Sequence, residues 1–160
     1  VASLDDLKLS YRLFMRAYPY RSVDWRPGAY LAKPLSEAVI AVVTTAAFYL
    51  PTQPAFDEGI RGGDWSFREI PVDAELGLLG IAHKSDAFDH RGIEADKNLA
   101  LPLDRLREME AAGEIRGVAR VHYSFMGSVT APGRLMSESA PEVARRLQEQ
   151  QVDAVVLTPV

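Results

Sequence analysis

The chain has 160 residues, of which 48% are apolar and 25% charged, with a formal net charge of −4 and no cysteine. That length suits one domain with a substantial core, and the acidic balance with scattered basic residues argues against a nucleic-acid partner. The lack of cysteine excludes disulfides, thiolate nucleophiles and cysteine-based zinc or iron–sulfur sites within these residues.

The first segment reads as a helix. Ser3 and Asp6 have the spacing of a capping box, and Leu4, Leu7, Tyr11, Phe14 and Tyr18 recur on one face before Pro19 ends the pattern. These opening residues lack the basic and apolar regions of a secretory signal, and no stretch reaches the roughly 18 apolar residues of a membrane span. A cytoplasmic address without a membrane partner is therefore expected. The chain does not open on Met, so trimming or recoding of its start is also expected. The aromatic-rich connector "YRSVDWRPGAYLAKP" shows no periodicity, and it is expected to lie across the surface or to reach a partner subunit.

"EAVIAVVTTAAFYL" (residues 37–50) opens with a continuous β-branched run, the pattern of a strand buried on both faces. A loop rich in Pro and Gly follows, then short strands at residues 65–70 and near residues 78–83. "DAFDHRGIEADKNLA" reads as a polar loop. A helix begins near Pro102, carries Leu103, Leu106 and Met109 on one face, and stops at Gly113. A strand at residues 118–125 ends at Gly127. Ser139 and Glu142 form a capping-box pair, with Pro141 in the first turn of another helix. The last strand spans residues 153–158. The order β, β, β, α, β, α, β predicts an α/β fold: a mostly parallel or mixed sheet flanked by helices, three-layer α/β/α-like, preceded by an N-terminal helix. Residues 1–35 are expected to form the helix and connector, and residues 36–160 the α/β domain.

In such sheets ligands bind beyond the carboxyl ends of the strands. Three segments qualify here: Thr44 and Thr45; Met126, Gly127 and Ser128; and Thr158, Pro159 and Val160. If their strands are parallel neighbours, the three tips converge. An alternative is that the two threonines only satisfy backbone groups at a strand end. Asp64 and Arg68 have the spacing of a pair that pins their loop, or of groups that hold a small charged substrate or a partner loop. His83, Asp86, Asp89, His90, Asp96 and Asn98 crowd one polar segment, yet their spacing matches no metal motif, and no metal is assigned. His122 beside Tyr123 reads as a core histidine rather than a base.

Five stretches occur in a familiar order: "VVTTAAFYLPTQPAFD", "GDWSFREIP", "LPLDRLREMEAAGEI", "HYSFMG" and "APEVARRLQEQQVDAVVLTPV". Together they resemble the selenoprotein B family of the glycine, sarcosine and betaine reductases and its D-proline reductase relatives, over residues 36–160. The resemblance implies an oxidoreductase subunit for reductive cleavage of a C–N bond in a small amine substrate. It implies that a selenocysteine, or a redox cysteine, lies immediately after a strand like "DAVVLTPV", so that no catalytic residue falls within the chain. It also implies a partner reductase subunit, on which a pyruvoyl group is an option, and regeneration by a dithiol. Thr44, Thr45, Gly127, Thr158 and Pro159 would then line the site, with Asp64, Arg68 and His83 supporting it.

The position just past Val160 admits three readings. These are a UGA codon taken as a stop, a chain cut early, and a naturally short paralogue; the first is favoured here. A domain incomplete at that end would leave apolar sheet surface exposed, so association with itself or a partner is expected. A non-catalytic assembly module on the same scaffold is the competing reading.

Overall fold

The computed structural model describes residue 5 and residues 8–18, 28–85 and 88–160. Ser3, Leu4, Asp6, Leu7, Pro19 and Asp86, named above, lie outside the described residues. The chain divides into two compact units, Val1–Tyr30 and Leu31–Val160.

In the first unit, α1 (Leu9–Ala17) has no buried residue. Its Phe14 and Tyr18 rings sit 5.6 Å apart, and Arg12 pairs with Asp5. Leu9, Tyr11, Leu13 and Phe14 are all exposed.

The second unit is built on a mixed sheet. Its strands are β1 (Val39–Thr44), β3 (Phe67–Pro71), β5 (Gly117–Val118), β6 (Val121–Phe125) and β7 (Ala154–Thr158). β1 lies in the middle, parallel to β5 and β6 on one side and to β7 on the other, while β3 pairs antiparallel with β6. Alternate residues of β1 face opposite layers. Ile40 and Val42 join a cluster with Leu101, Leu103, Leu106 and Ile115, around α3 (Leu103–Ala111). Val43 joins Tyr123, Phe125 and Phe67 against Val143 and Leu147 of α4 (Ala140–Glu149). The α/β sandwich foreseen in the sequence is thus formed, with helices on both faces of the sheet.

Both long helices end for a stated reason. After α3, Gly113 takes φ 72° and its N–H donates to Glu110 O, while Glu114 N–H donates to Met109 O. That pair of bonds is a Schellman motif, so Gly113 is the stop the sequence suggested. The same two bonds close α4, with Gln151 at φ 56° in the position glycine favours.

Several expected elements differ. The run over residues 37–50 is not one strand, because Ala47 turns at φ 54° and leaves β2 (Phe48–Tyr49) to pair antiparallel with β4 (Gly80–Ile81) in a separate ribbon. The strand expected near residues 78–83 is thereby reduced to β4. Within "DAFDHRGIEADKNLA", read as loop, the structure holds a short helix, α2 (Arg91–Ala95), and a 3-10 turn at Lys97–Leu99, each too short for a periodic signal. The capping box of Ser139 and Glu142 does not form. Ser139 is already helical at φ −73° and donates its hydroxyl to Trp65 O at 2.6 Å, while Glu142 pairs with Arg145 and Arg146. The helix starts earlier, through a π-helical turn at Leu135–Ser139. Pro141 follows that turn and has no N–H to donate back into it.

The strand expected at residues 118–125 is interrupted at Ala119 and Arg120. From Ile40 to Val43 is three steps along β1, but the paired positions Val118 and Tyr123 are five apart. In that gap Val42 N–H donates to Nδ1 of His122, at 3.0 Å, in place of a backbone carbonyl. His122 is fully buried, and its Nε2 has no partner within the protein. Burial, aided by the nearby charge of Arg107, lowers its pKa to about 4.

β7 lies at an edge, and Val155, Val156 and Leu157 are 37%, 37% and 70% exposed. Alternation puts Val155 and Leu157 on the side of α4 and Val156 on the side of α3. Neither helix reaches far enough to cover them.

The histidine in the gap makes stability depend on pH. Its folded pKa lies below the ordinary 6.5, so the unfolded chain takes up the proton first as pH falls. Stability contributed here is complete above 6.5 and is lost toward about 4, by an amount on the order of 3 kcal/mol. His122→Asn keeps an acceptor near the Nδ1 position but does not titrate. Urea unfolding at pH 7.5, 6 and 4.5 is expected to show a smaller loss of stability in this variant than in the parent. Equal losses would refute the assignment.

Candidate functional site

Because β6, β1 and β7 run parallel, their carboxyl ends reach the same edge of the sheet. Beyond that edge the chain is tied across by side chains. Thr44, fully buried, accepts from Ala46 N–H at 3.2 Å and faces Thr158 O. Thr45 N–H donates to Thr158 O, and its hydroxyl accepts Val160 N–H at 2.9 Å. Thr158 turns the other way, its hydroxyl donating to Ala100 O at 2.6 Å. Pro159, which is exposed, links the two anchored residues. The threonines therefore do satisfy backbone groups, and those groups belong to the end of β7.

After Thr45 the chain doubles back. Ala46 bridges Met126, Ala47 N–H donates to Phe125 O, and Ala82 N–H donates to Ala47 O. An alanine with positive φ is unfavourable by roughly 1 kcal/mol, and the bonds on either side hold it there. This reversal brings the segment of Ala82 and His83 against the strand tips.

Gly127 sits where these pieces meet. A Cβ built on it would lie 2.7 Å from His83 Nε2, 2.9 Å from Thr45 O and 3.0 Å from Val160 O. Glycine is required by that close approach. His83 is 8% exposed, its Nδ1 accepts Ser85 N–H at 3.2 Å, and its Nε2 is buried without a partner. Burial lowers its pKa, the neighbouring His90 lowers it further, and Glu58 opposes both. The ring is neutral near pH 7 and carries its proton on Nε2. Phe88 packs on it at 4.8 Å between centroids, and His90 at 6.0 Å. Phe88 had no signal in the sequence, being one aromatic in a polar run.

Asp64 and Arg68 lie in the wall beside this point. Burial opposes ionisation of Asp64, but the Ser66 hydroxyl, the N–H groups of Asp57 and Ser66 and the Arg68 guanidinium together hold its pKa below the usual range. Arg68 donates to Pro54 O, Ala55 O, Phe67 O and the Ser66 hydroxyl, and stacks 4.2 Å from the Phe56 ring centroid. Its donors are spent on the loop. Phe56 in turn packs with Ala47, Ala82 and Met126, next to Gly127. The loop is tied down further by Lys84, which donates to Ile60 O, and by Ala131 N–H on Gly62 O. The pair thus acts through Phe56 to support the wall.

Of the polar residues grouped with His83 in the sequence, Asp89, Asp96 and Asn98 form local bonds. Asp89 pairs with Arg91, and Asp96, Asn98 and Asp104 form a capping network at the start of α3. Among the described residues no three histidine or carboxylate groups converge as metal ligands. A separate depression of about 270 Å³ lies at the opposite, amino-terminal end of β1, lined by Lys33, Arg116, Gln150 and Asp153. There Asp153 pairs with Lys33 and accepts Val39 N–H. Lys33 and Asp153 are engaged with each other, and the depression is remote from the converging tips.

Residues 6–160 match the family described as glycine/sarcosine/betaine reductase selenoprotein B. The chain is 33% identical over 134 residues to the D-proline reductase subunit gamma of Acetoanaerobium sticklandii, covering 84% of this chain and 52% of that protein. It is 31% identical to the betaine reductase complex component B subunit beta of Peptoclostridium acidaminophilum, over 94% of this chain and 34% of that protein. Identity is 28% with the glycine reductase complex component B subunit gamma of Symbiobacterium thermophilum, over 94% and 35%. The chain thus spans about half the length of the first relative and about a third of the other two. No solved structure matches it.

Gly127→Ala is expected to lower stability by about 1–3 kcal/mol, because two of the three atoms it would strike are backbone oxygens that cannot rotate away. Gly133→Ala is the control, since a Cβ there meets nothing within 4 Å. Thermal unfolding of both variants checks this, and equal stability would refute the close packing at the tips.

Proposed function

This chain belongs to the glycine/sarcosine/betaine reductase selenoprotein B family, and on that premise we propose that it is the strand-tip portion of a reductase subunit that cleaves a C–N bond in a small amine. The amine is of the kind named in its relatives: D-proline, betaine or glycine. The observation that carries this reading is the convergence of Thr45, Gly127 and Val160 at the carboxyl ends of three parallel strands, the place where such sheets position reacting groups.

The chemistry needs a nucleophile that is ionised near neutral pH, polarizable and able to leave again, which is a thiolate or selenolate. Residues 1–160 contain no cysteine. We place the redox residue, selenocysteine or cysteine, directly after Val160 in the polypeptide to which this chain belongs. The bond between Thr45 and Val160 would fix where that residue emerges, and Gly127 would leave the approach free of side chain. Attack at the carbon bearing nitrogen would form a C–S or C–Se bond as the amine departs with the electron pair. One thiolate of a dithiol would then attack the selenium or sulfur, and the C–Se or C–S bond would break with the carbon taking up a proton. The second thiol would release the redox residue as the dithiol closes to a disulfide. Any pyruvoyl group would belong to a partner subunit and contribute to holding the substrate.

Partner subunits follow from the same premise, since the relatives are components of reductase complexes. The exposed face of β7 is where we expect further polypeptide of the complex to pack.

Alkylation of the intact native protein with iodoacetamide tests the reading. The expected result is one modified selenocysteine or cysteine on the peptide continuing from "VVLTPV", with loss of dithiol-dependent reductase activity in the reconstituted complex. Full activity after complete alkylation would rule the proposal out.

A further inference from the structure

A second feature of the tips is not explained by packing. His83 Nε2–H is buried and has no acceptor, although such a vacancy is unfavourable and rare in folded proteins. Its direction is fixed. Nδ1 is already used as an acceptor for Ser85 N–H, so the neutral ring must present a proton on Nε2, toward Gly127. This tautomer also disfavours a metal. A histidine that ligates through Nε2 carries its proton on Nδ1 and donates it, whereas here Nδ1 accepts.

The groups around the ring narrow the missing partner. Phe88 covers one side, and His90 stands edge-on with its own Nε2 buried and unpartnered. Glu58 is the carboxylate whose charge reaches His83, and the ammonium of Lys84, the next residue, is engaged by Ile60 O. Val160 O lies 3.0 Å, and His83 Nε2 2.7 Å, from the same point beside Gly127. A residue bonded to Val160 would therefore begin close to an N–H that lacks an acceptor.

We propose that His83 donates its Nε2 hydrogen bond to the reacting sulfur or selenium, and so favours the ionised form of that group. This rests on the reading above, which places the redox residue after Val160. A hydrogen bond to the charged form lowers a thiol's pKa and holds the anion in one direction. His83 stays neutral in this role, so it neither titrates against the thiolate nor needs to return a proton. Phe88 packs on the ring beside this contact.

The test uses the full-length protein with cysteine after Val160, and reads the pH dependence of its alkylation by iodoacetamide. In His83→Leu the apparent thiol pKa is expected to rise by about one unit, which slows alkylation roughly tenfold below that pKa. His83→Gln places an amide N–H near the Nε2 position and is expected to restore most of the effect, whereas His83→Asn, too short to reach, is not. A thiol pKa unchanged in His83→Leu would overturn the proposal. So would restoration by Asn equal to that by Gln, because that marks a packing role. Nitrogen NMR of the labelled parent protein needs no substitution: the His83 Nε2–H signal is expected to shift on alkylation, and a fixed signal also overturns it. Failure of the parent to alkylate after Val160 strikes the earlier reading instead, and this one falls with it.

Discussion

The two-sided pairing of β1 is the constraint on which the rest depends. β1 is hydrogen-bonded on one side to β5 and β6 and on the other to β7, all in the same direction. That arrangement alone puts three carboxyl ends at one edge. It also sets which threonine does what. Neighbouring residues of a strand face opposite ways, so Thr44 is buried while Thr45, just past the strand, turns to the end of β7. A slip of β7 by one residue would exchange its faces, sending the Thr158 hydroxyl away from Ala100 O and separating Val160 from Thr45. The edge exposure of β7 makes this pairing the least protected part of the sheet.

Two buried histidines show how the same physics serves different ends. Both are kept neutral by burial, and both use Nδ1 as an acceptor for a backbone N–H. His122 stands in for a missing ladder carbonyl at the interruption between β5 and β6, although its Nε2, like that of His83, is buried without a partner. His83 lies outside the sheet, and the partner of its Nε2–H would come from beyond residue 160. The strained turn at Ala47 belongs with the second case. It is held by bonds to Phe125 and Ala82, and without it the His83 segment would not reach the tips.

The sandwich and its helix ends were legible because they rest on local, periodic signals. The apolar run of β1, the face of Leu103 and Leu106, and Gly113 as a stop all state their roles within a few residues of sequence. Elements that depend on distant partners were not legible. β2 and β4 are two residues long and exist only because each pairs with the other. The capping box at Ser139 had the right residues, but its hydroxyl found Trp65 O, a group far away in sequence. Asp64 and Arg68 showed their spacing, yet only the fold shows Arg68 spending its donors on the loop and stacking on Phe56.

The sequence by itself determined the layer order, the lack of a thiol within these residues, and the three segments able to stand at strand ends. Tertiary structure alone decided that those segments meet, that the register of β7 brings Val160 to Thr45, and that His83 arrives beside Gly127 with one N–H unpaired. The reason is physical. Periodicity records whether a residue faces the core, whereas register, tautomer and an unmet hydrogen bond are properties of pairs of atoms far apart in the chain.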